Sequence, residues 1–307
     1  MAGRPHTPSG ARSAGRSRPP ARPPSRAGGR GPGRPPRTGA RRPRRRPPSE
    51  LRSRVLAAIP ALAVALFLVI EGGLVFTLGL FVLGAVCMHE LYGMYDRVHP
   101  VRLAGFIALA GLLLAALYGN QFQVLLVAVA ALPVLFGLAI VQRQPSVMGM
   151  GVTLLGIYWI GFALAHAVLL RGLPHGSAIV LDVLVGVFLG DTAAYLAGRM
   201  FGRRPLAPHI SPNKTVEGLV AGMVFALFGV WIAGRYEDWL PGTHALVLGL
   251  GVALLAPLGD LFESFIKRQA ATKDSGGLFG PHGGALDRLD GVLFAAVVGY
   301  YIWAAYV

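Results

Sequence analysis

Residues 244–290 read HALVLGLGVALLAPLGDLFESFIKRQAATKDSGGLFGPHGGALDRLD. As far as residue 266 the stretch is almost wholly apolar, and it exceeds the roughly 20 residues a helix needs to cross a bilayer. Between Asp260 and Asp290, however, it gathers five acidic residues, two lysines, two arginines, a histidine and a glycine-rich turn. A membrane span that runs into a dense charged block needs a reason for the charge, because ionisable groups at the edge of lipid are costly. Carboxylates able to hold a divalent cation, beside cations able to hold phosphate, point to phosphoryl or nucleotidyl transfer at a membrane surface.

Composition supports a membrane protein. The 307 residues are 54% hydrophobic with a mean hydropathy of +0.56. The net charge of +15 is unevenly placed: residues 1–54 hold 16 arginines and one acid, whereas the remaining chain balances 13 basic against 13 acidic residues. The high pI of 11.0 therefore comes from the tail and does not call for a nucleic-acid partner. Cys87 is the only cysteine, which excludes a disulfide framework and a thiolate metal site. Three lysines, Lys214, Lys267 and Lys273, stand against 26 arginines, and all three fall in the polar segments discussed below. Where arginine serves as the default cation, a retained lysine marks a need for a compact ammonium.

The chain divides into a tail, residues 1–54, and a membrane domain, residues 55–307. Arg, Pro, Gly, Ser and Ala dominate the tail, which buries too little apolar surface to order itself and is expected to be disordered. A solvated topogenic tail is the favoured reading over an anionic-lipid tether or a nucleic-acid arm. Its basic region is too long for a signal peptide. Nine apolar segments follow, at about 55–70, 73–92, 101–118, 122–141, 147–170, 177–200, 216–233, 244–266 and 291–307. With the tail in the cytoplasm and nine alternating spans, inside loops collect eleven basic residues and outside loops only Arg171 and Arg235. The expectation is an all-α, multi-pass protein of the cell membrane with a polar active-site cavity facing the cytoplasm.

Two constellations carry the chemistry. If the eighth helix continues to about Arg268, Asp260, Glu263, Ser264 and Lys267 share one face. Asp260 then requires a partner, either Lys267 or a metal ion. Downstream, Asp287 and Asp290 share a face at the start of the ninth helix, and the glycines 276, 277, 280, 283 and 284 allow backbone amides to approach an anion. The second constellation, residues 191–218, reads DTAAYLAGRMFGRRPLAPHISPNKTVEG. Asp191 lies inside an apolar helix, a basic loop with Arg199, Arg203, Arg204 and Lys214 follows, and Thr215 and Glu217 open the next helix. A basic loop ending at a helix N-terminus suits an anion.

At these residues the chain resembles the phosphatidate cytidylyltransferases, also called CDP-diacylglycerol synthases. Their C-terminal signature stands here in unbroken spacing as Ser264, Lys267-Arg268, Lys273-Asp274, His282-Gly283-Gly284 and Asp287-Arg288-Leu289-Asp290. Ala285 replaces a larger apolar residue, a difference of packing. The DTAAY and SPNKTVEG elements are similar to upstream elements of the same family, and the resemblance covers residues 55–307. It implies transfer of CMP from CTP to phosphatidate. It also implies Mg²⁺ on Asp260 and Asp287, with room for a second cation. Lys267, Lys273, Asp274, Ser264, His282, Arg288 and Asp290 are then the expected catalytic group. Arg199, Arg203, Ser211, Asn213, Lys214, Thr215, Gly283 and Gly284 are expected to bind phosphate and substrate. A homodimer stays open.

Two rivals are weighed. A CTP-dependent polyprenol kinase would share the architecture and yield CDP in place of pyrophosphate. A transporter would also place Asp, His and Lys in the membrane, but its paired broken helices in two related halves are not evident. Among the remaining polar residues, His166 is expected to be a satisfied interhelical histidine and Asp182 to reach water near the outer end of its span. His89-Glu90 either reaches the active cavity or caps the bundle.

Overall fold

The computed structural model describes residues 62–276 and 283–307. The expected disordered tail, the start of the first apolar segment and His282 lie outside the described residues. Each of the nine apolar segments holds a helix: α1 (Leu62–Glu71), α2 (Gly73–Met94), α3 (Arg102–Tyr118), α4 (Gln121–Val141), α5 (Val147–Gly172), α6 (Gly176–Phe201), α7 (Val216–Gly234), α8 (Gly242–Gln269) and α9 (Leu286–Ala304). Six of them, α2 and α4 to α8, are long and apolar enough to cross a membrane. The protein is thus an α-helical, multi-pass membrane protein.

Local chemistry sets several boundaries. Asn120 caps α4 reciprocally with Gln123, the side chain of each meeting the other's end of the first turn. Ser146 and Thr215 cap α5 and α7 by accepting from Gly149 and Gly218. Within α5 the backbone opens into a π turn over Gly156–Gly161, where the buried Tyr92 ring lies against Gly156. Tyr92 also donates to the Thr153 carbonyl at 3.3 Å, which ties α2 to α5.

One expectation needs correction. Residues 201–215 are not an irregular loop. They contain an antiparallel hairpin of β1 (Pro205–Ala207) and β2 (Ser211–Thr215), with Pro205 opposite Thr215 and Ala207 opposite Ser211. Pro205, Pro208 and Pro212 forbid a helix here, and a hairpin satisfies the backbone that a proline-rich crossing would leave bare.

Small residues bring the last four helices together. A β-carbon at Gly222 or Gly190 of the α6–α7 contact would crowd Ala194 or Ala226, and one at Gly249 of α8 would meet the Leu227 carbonyl oxygen at 2.8 Å. Such contacts let backbones approach closely where lipid offers no hydrophobic drive for association. Elsewhere Met88, Leu91, Leu109, Leu112, Leu113, Ile157 and Ile160 form the fully buried seam of α2, α3 and α5. Around this interior, α4 turns apolar residues such as Phe122, Val129 and Ile140 outward, as a lipid-facing helix must.

Candidate active site

The ionisable residues converge from the C-terminal ends of α2, α6 and α8 and the N-terminal ends of α7 and α9, which places them at one end of the bundle. On α8, Asp260, Glu263, Ser264 and Lys267 follow the helical repeat read from the sequence. Their partners lie on other elements. Lys214, on β2, sits 2.6 Å from Asp260. Lys267 lies 2.5 Å from Glu263 and 2.7 Å from Asp287 of α9. Asp260 is therefore partnered by Lys214 and not by Lys267. The hairpin is held in place a second time by Arg268, whose Nε donates to the Ile210 carbonyl at 3.1 Å.

Oxygen atoms of Asp260, Glu263 and Asp290 lie within 4.8 Å of one another. Glu263 is buried, and its Oε1 has no hydrogen-bond partner. Three carboxylates with a free buried oxygen form a hard, oxygen-only donor set that fits a divalent cation. The grouping differs from the expected pair of Asp260 and Asp287. Although Asp287 and Asp290 are three residues apart on α9, Asp290 belongs to this cluster while Asp287 faces Lys267 and the preceding loop.

Asp287 is saturated by the protein. It accepts from Lys267 at 2.7 Å, from the Gly284 amide at 2.7 Å and from the Ser275 amide at 3.3 Å.

The spacing of its glycines suggests the glycine-rich segment as a cradle for an external anion. Among the described residues, the amides of 284–286 at its end serve anions of the protein itself. Gly284 donates to Asp287, and Ala285 and Leu286 each donate to Glu90 at 3.0 Å. Glu90 also accepts from the Ser275 hydroxyl at 3.1 Å. Gly283 takes φ +85°, a conformation that side chains other than glycine rarely adopt.

The remaining expected residues surround this centre. Arg199 is exposed and donates to Tyr195 at 3.2 Å. The Arg203 side chain is exposed, while its amide and that of Arg204 donate to Glu217 at 3.0 and 3.2 Å. Ser211 and Asn213 lie on β2, and Thr215 caps α7. Lys273 and Asp274 are exposed in the turn after α8, and Arg288 is exposed on the first turn of α9. Asp191, inside α6, stands close enough to Asp260 and Lys214 to interact with both electrostatically.

Away from the site, His166 is fully buried, with its ring nitrogens 2.8 Å from the Phe162 carbonyl and 3.2 Å from the Tyr301 hydroxyl, as an interhelical histidine should be. Asp182 does not reach water: it is 4% exposed.

Fold and site together define a multi-pass membrane enzyme with a cluster of ionisable side chains at one end of its helix bundle. The chain belongs to the Cytidylyltransferase family, whose pattern matches residues 52–306. It is 33% identical over 269 residues to the phosphatidate cytidylyltransferase of Bacillus subtilis, covering 84% of this chain and 99% of the relative. It is also 33% identical over 262 residues to that of Brucella suis, covering 84% and 95%. With that of Staphylococcus saprophyticus it shares 31% identity over 255 residues, covering 80% and 95%.

Proposed function

We propose that this protein transfers the cytidylyl group of CTP to phosphatidate, giving CDP-diacylglycerol and pyrophosphate. The observation that carries the reading is the grouping of Asp260, Glu263 and Asp290 beside Lys214 and Lys267, in a chain of the Cytidylyltransferase family. Phosphatidate's phosphomonoester is largely ionised near neutral pH, so its oxygen can attack the α-phosphorus without a strong general base. The bond from the α-phosphorus to the bridging oxygen breaks in line, and pyrophosphate leaves with that electron pair. The obstacle is bringing two polyanions together, which makes positioning and charge neutralisation the main tasks of the protein.

Asp260, Glu263 and Asp290 would hold Mg²⁺, which supplies neutralisation of the nucleotide phosphates and of the departing charge. Lys267, wedged between Glu263 and Asp287, keeps a compact cation at a fixed distance from the carboxylates. Lys214 and the exposed Arg199, Arg203 and Lys273 draw the phosphates of CTP and lipid toward the cluster. The nine helices cross the membrane with the N-terminus and this cluster on the cytoplasmic side, where the basic loops gather and CTP is found. The acyl chains stay in lipid.

The test is membranes containing the protein, supplied with CTP, phosphatidate and Mg²⁺, with the lipid product identified by mass. CDP-diacylglycerol and pyrophosphate are expected. Release of CDP with a newly phosphorylated lipid would replace this reading with a kinase.

A further inference from the structure

Glu90 closes the first constellation, residues 260–290, from a part of the chain far from the family signature. It lies near the C-terminal end of α2, is 8% exposed, and turns both carboxylate oxygens onto the segment that joins α8 to α9. Oε1 accepts from the Ala285 amide, and Oε2 accepts from the Leu286 amide and the Ser275 hydroxyl. The two ends of that segment, Ser275 and Ala285, are therefore pinned to one side chain. The fit is close: a β-carbon on Gly284 would strike Glu90 and Ser275, and one on Gly276 would come within 2.5 Å of Glu90. Only glycines let the loop ends reach this carboxylate.

The pinned atoms lead directly to the site. The Ser275 and Gly284 amides donate to Asp287, Asp287 accepts from Lys267, and Lys267 pairs with Glu263 of the carboxylate cluster. Glu90 also occupies the amides that open α9, the helix that carries Asp287 and Asp290. A carboxylate at a helix N-terminus is favoured by the exposed amides and the helix dipole. Charge-assisted bonds of this kind are the strong ones.

We infer that Glu90 is a positioning residue for the transfer reaction: it clips both ends of the glycine-rich segment and thereby sets the place of Asp287 and, through Lys267, of Glu263. The inference rests on the proposed cytidylyl transfer for its kinetic readout. Its structural readout is independent of that reading. Glutamine cannot replace Glu90, because its one carbonyl oxygen cannot serve three donors and its NH₂ group would face an amide N–H.

The experiment compares the full-length wild type, Glu90→Gln and Ser275→Ala in detergent. It measures amide hydrogen exchange over residues 283–290 and, for each variant, kcat per folded protein, KM for CTP and for phosphatidate, and the Mg²⁺ concentration for half activity. Glu90→Gln should exchange faster at residues 284–288, lose on the order of 100-fold in kcat and need more Mg²⁺, with KM for phosphatidate unchanged. Ser275→Ala, which removes one of the three donors to Glu90, should move the same readouts less. Unchanged kcat and Mg²⁺ requirement in Glu90→Gln would overturn the inference. So would a loss of kcat with native exchange, which would mean direct action on substrate. A loss confined to the amount of folded protein would reduce Glu90 to a stabilising cap. If Glu90→Gln cannot be recovered, Ser275→Ala decides: faster exchange at 284–288 with reduced kcat supports the clip, and native values refute it. A wild type that forms no CDP-diacylglycerol refutes the proposed function, while the exchange comparison still judges the clip.

Discussion

Gly259 offers a way to disturb the site without touching an ionisable group. It lies where α8 meets the start of α9. A β-carbon there would be in hard contact with the Asp290 carbonyl oxygen and 3.1 Å from the Asp290 carbonyl carbon and from Phe294. Backbone cannot rotate aside as a side chain can, so Gly259→Ala must push the two helices apart. Overpacking of this type costs about 1–3 kcal/mol. The displaced backbone carries Asp290, and Asp260 is the next residue on the other side of the contact, so the carboxylate cluster opens. In a reaction governed by positioning, a shift near 1 Å costs on the order of 100-fold. Gly251→Ala is the control. It also lies between α8 and α9, but its β-carbon would meet the terminal methyl of Ile302, which can swing away, and Val298 at 3.2 Å. Initial rates of CDP-diacylglycerol formation across a Mg²⁺ titration, normalised to folded protein, provide the assay. Gly259→Ala should lose turnover and need more Mg²⁺, and Gly251→Ala should turn over almost normally. Equal behaviour of the two variants would refute the idea that the α8–α9 spacing sets the site.

Further outcomes follow from the ion pairs and from the extent of the family match. Lys267→Arg should lower kcat by roughly 100-fold, since a longer, planar guanidinium cannot occupy the gap between Glu263 and Asp287; the neighbouring Arg268→Lys, at an exposed position, should cost far less, and a reversed order would refute the assignment. Asp260→Asn should abolish turnover while the protein stays in the membrane, because it removes one oxygen donor and leaves Lys214 without its counter-charge; wild-type rates at saturating Mg²⁺ would rule out a metal role. Deleting residues 2–48, which precede the family match at residue 52, should leave kcat in detergent intact, and loss of most activity would place the tail in the catalytic machinery.

The helices were readable because apolar helices declare themselves locally: each is a run of apolar residues ended by Gly, Pro or charge, and six of the runs have the length a membrane crossing needs. The α8 face was readable for the same reason, since Asp260, Glu263 and Lys267 repeat at helical spacing and the helix does reach Gln269. Hairpin 205–215 was missed because its strands are short and proline-rich, so neither alternation nor length marks them. Reading Gly283 and Gly284 as an anion cradle identified the right backbone property but could not say whose anion occupies the amides.

By itself, the sequence determined the multi-pass helical character, the residue types at the site and, through the spacing of Ser264, Lys267, Lys273, His282, Asp287 and Asp290, the family. Those properties reside in composition and in separations of a few residues along one helix or turn. Only the tertiary structure decided who faces whom. Lys214 meets Asp260 across 46 positions, Asp287 takes Lys267 while Asp290 joins Asp260 and Glu263, and Glu90 reaches Ala285 across 195. Such pairings depend on how glycine-rich helix faces pack and on which turn of α9 meets α8. A shift of one residue along that contact would exchange the surroundings of Asp287 and Asp290 without altering the spacing that made them recognisable.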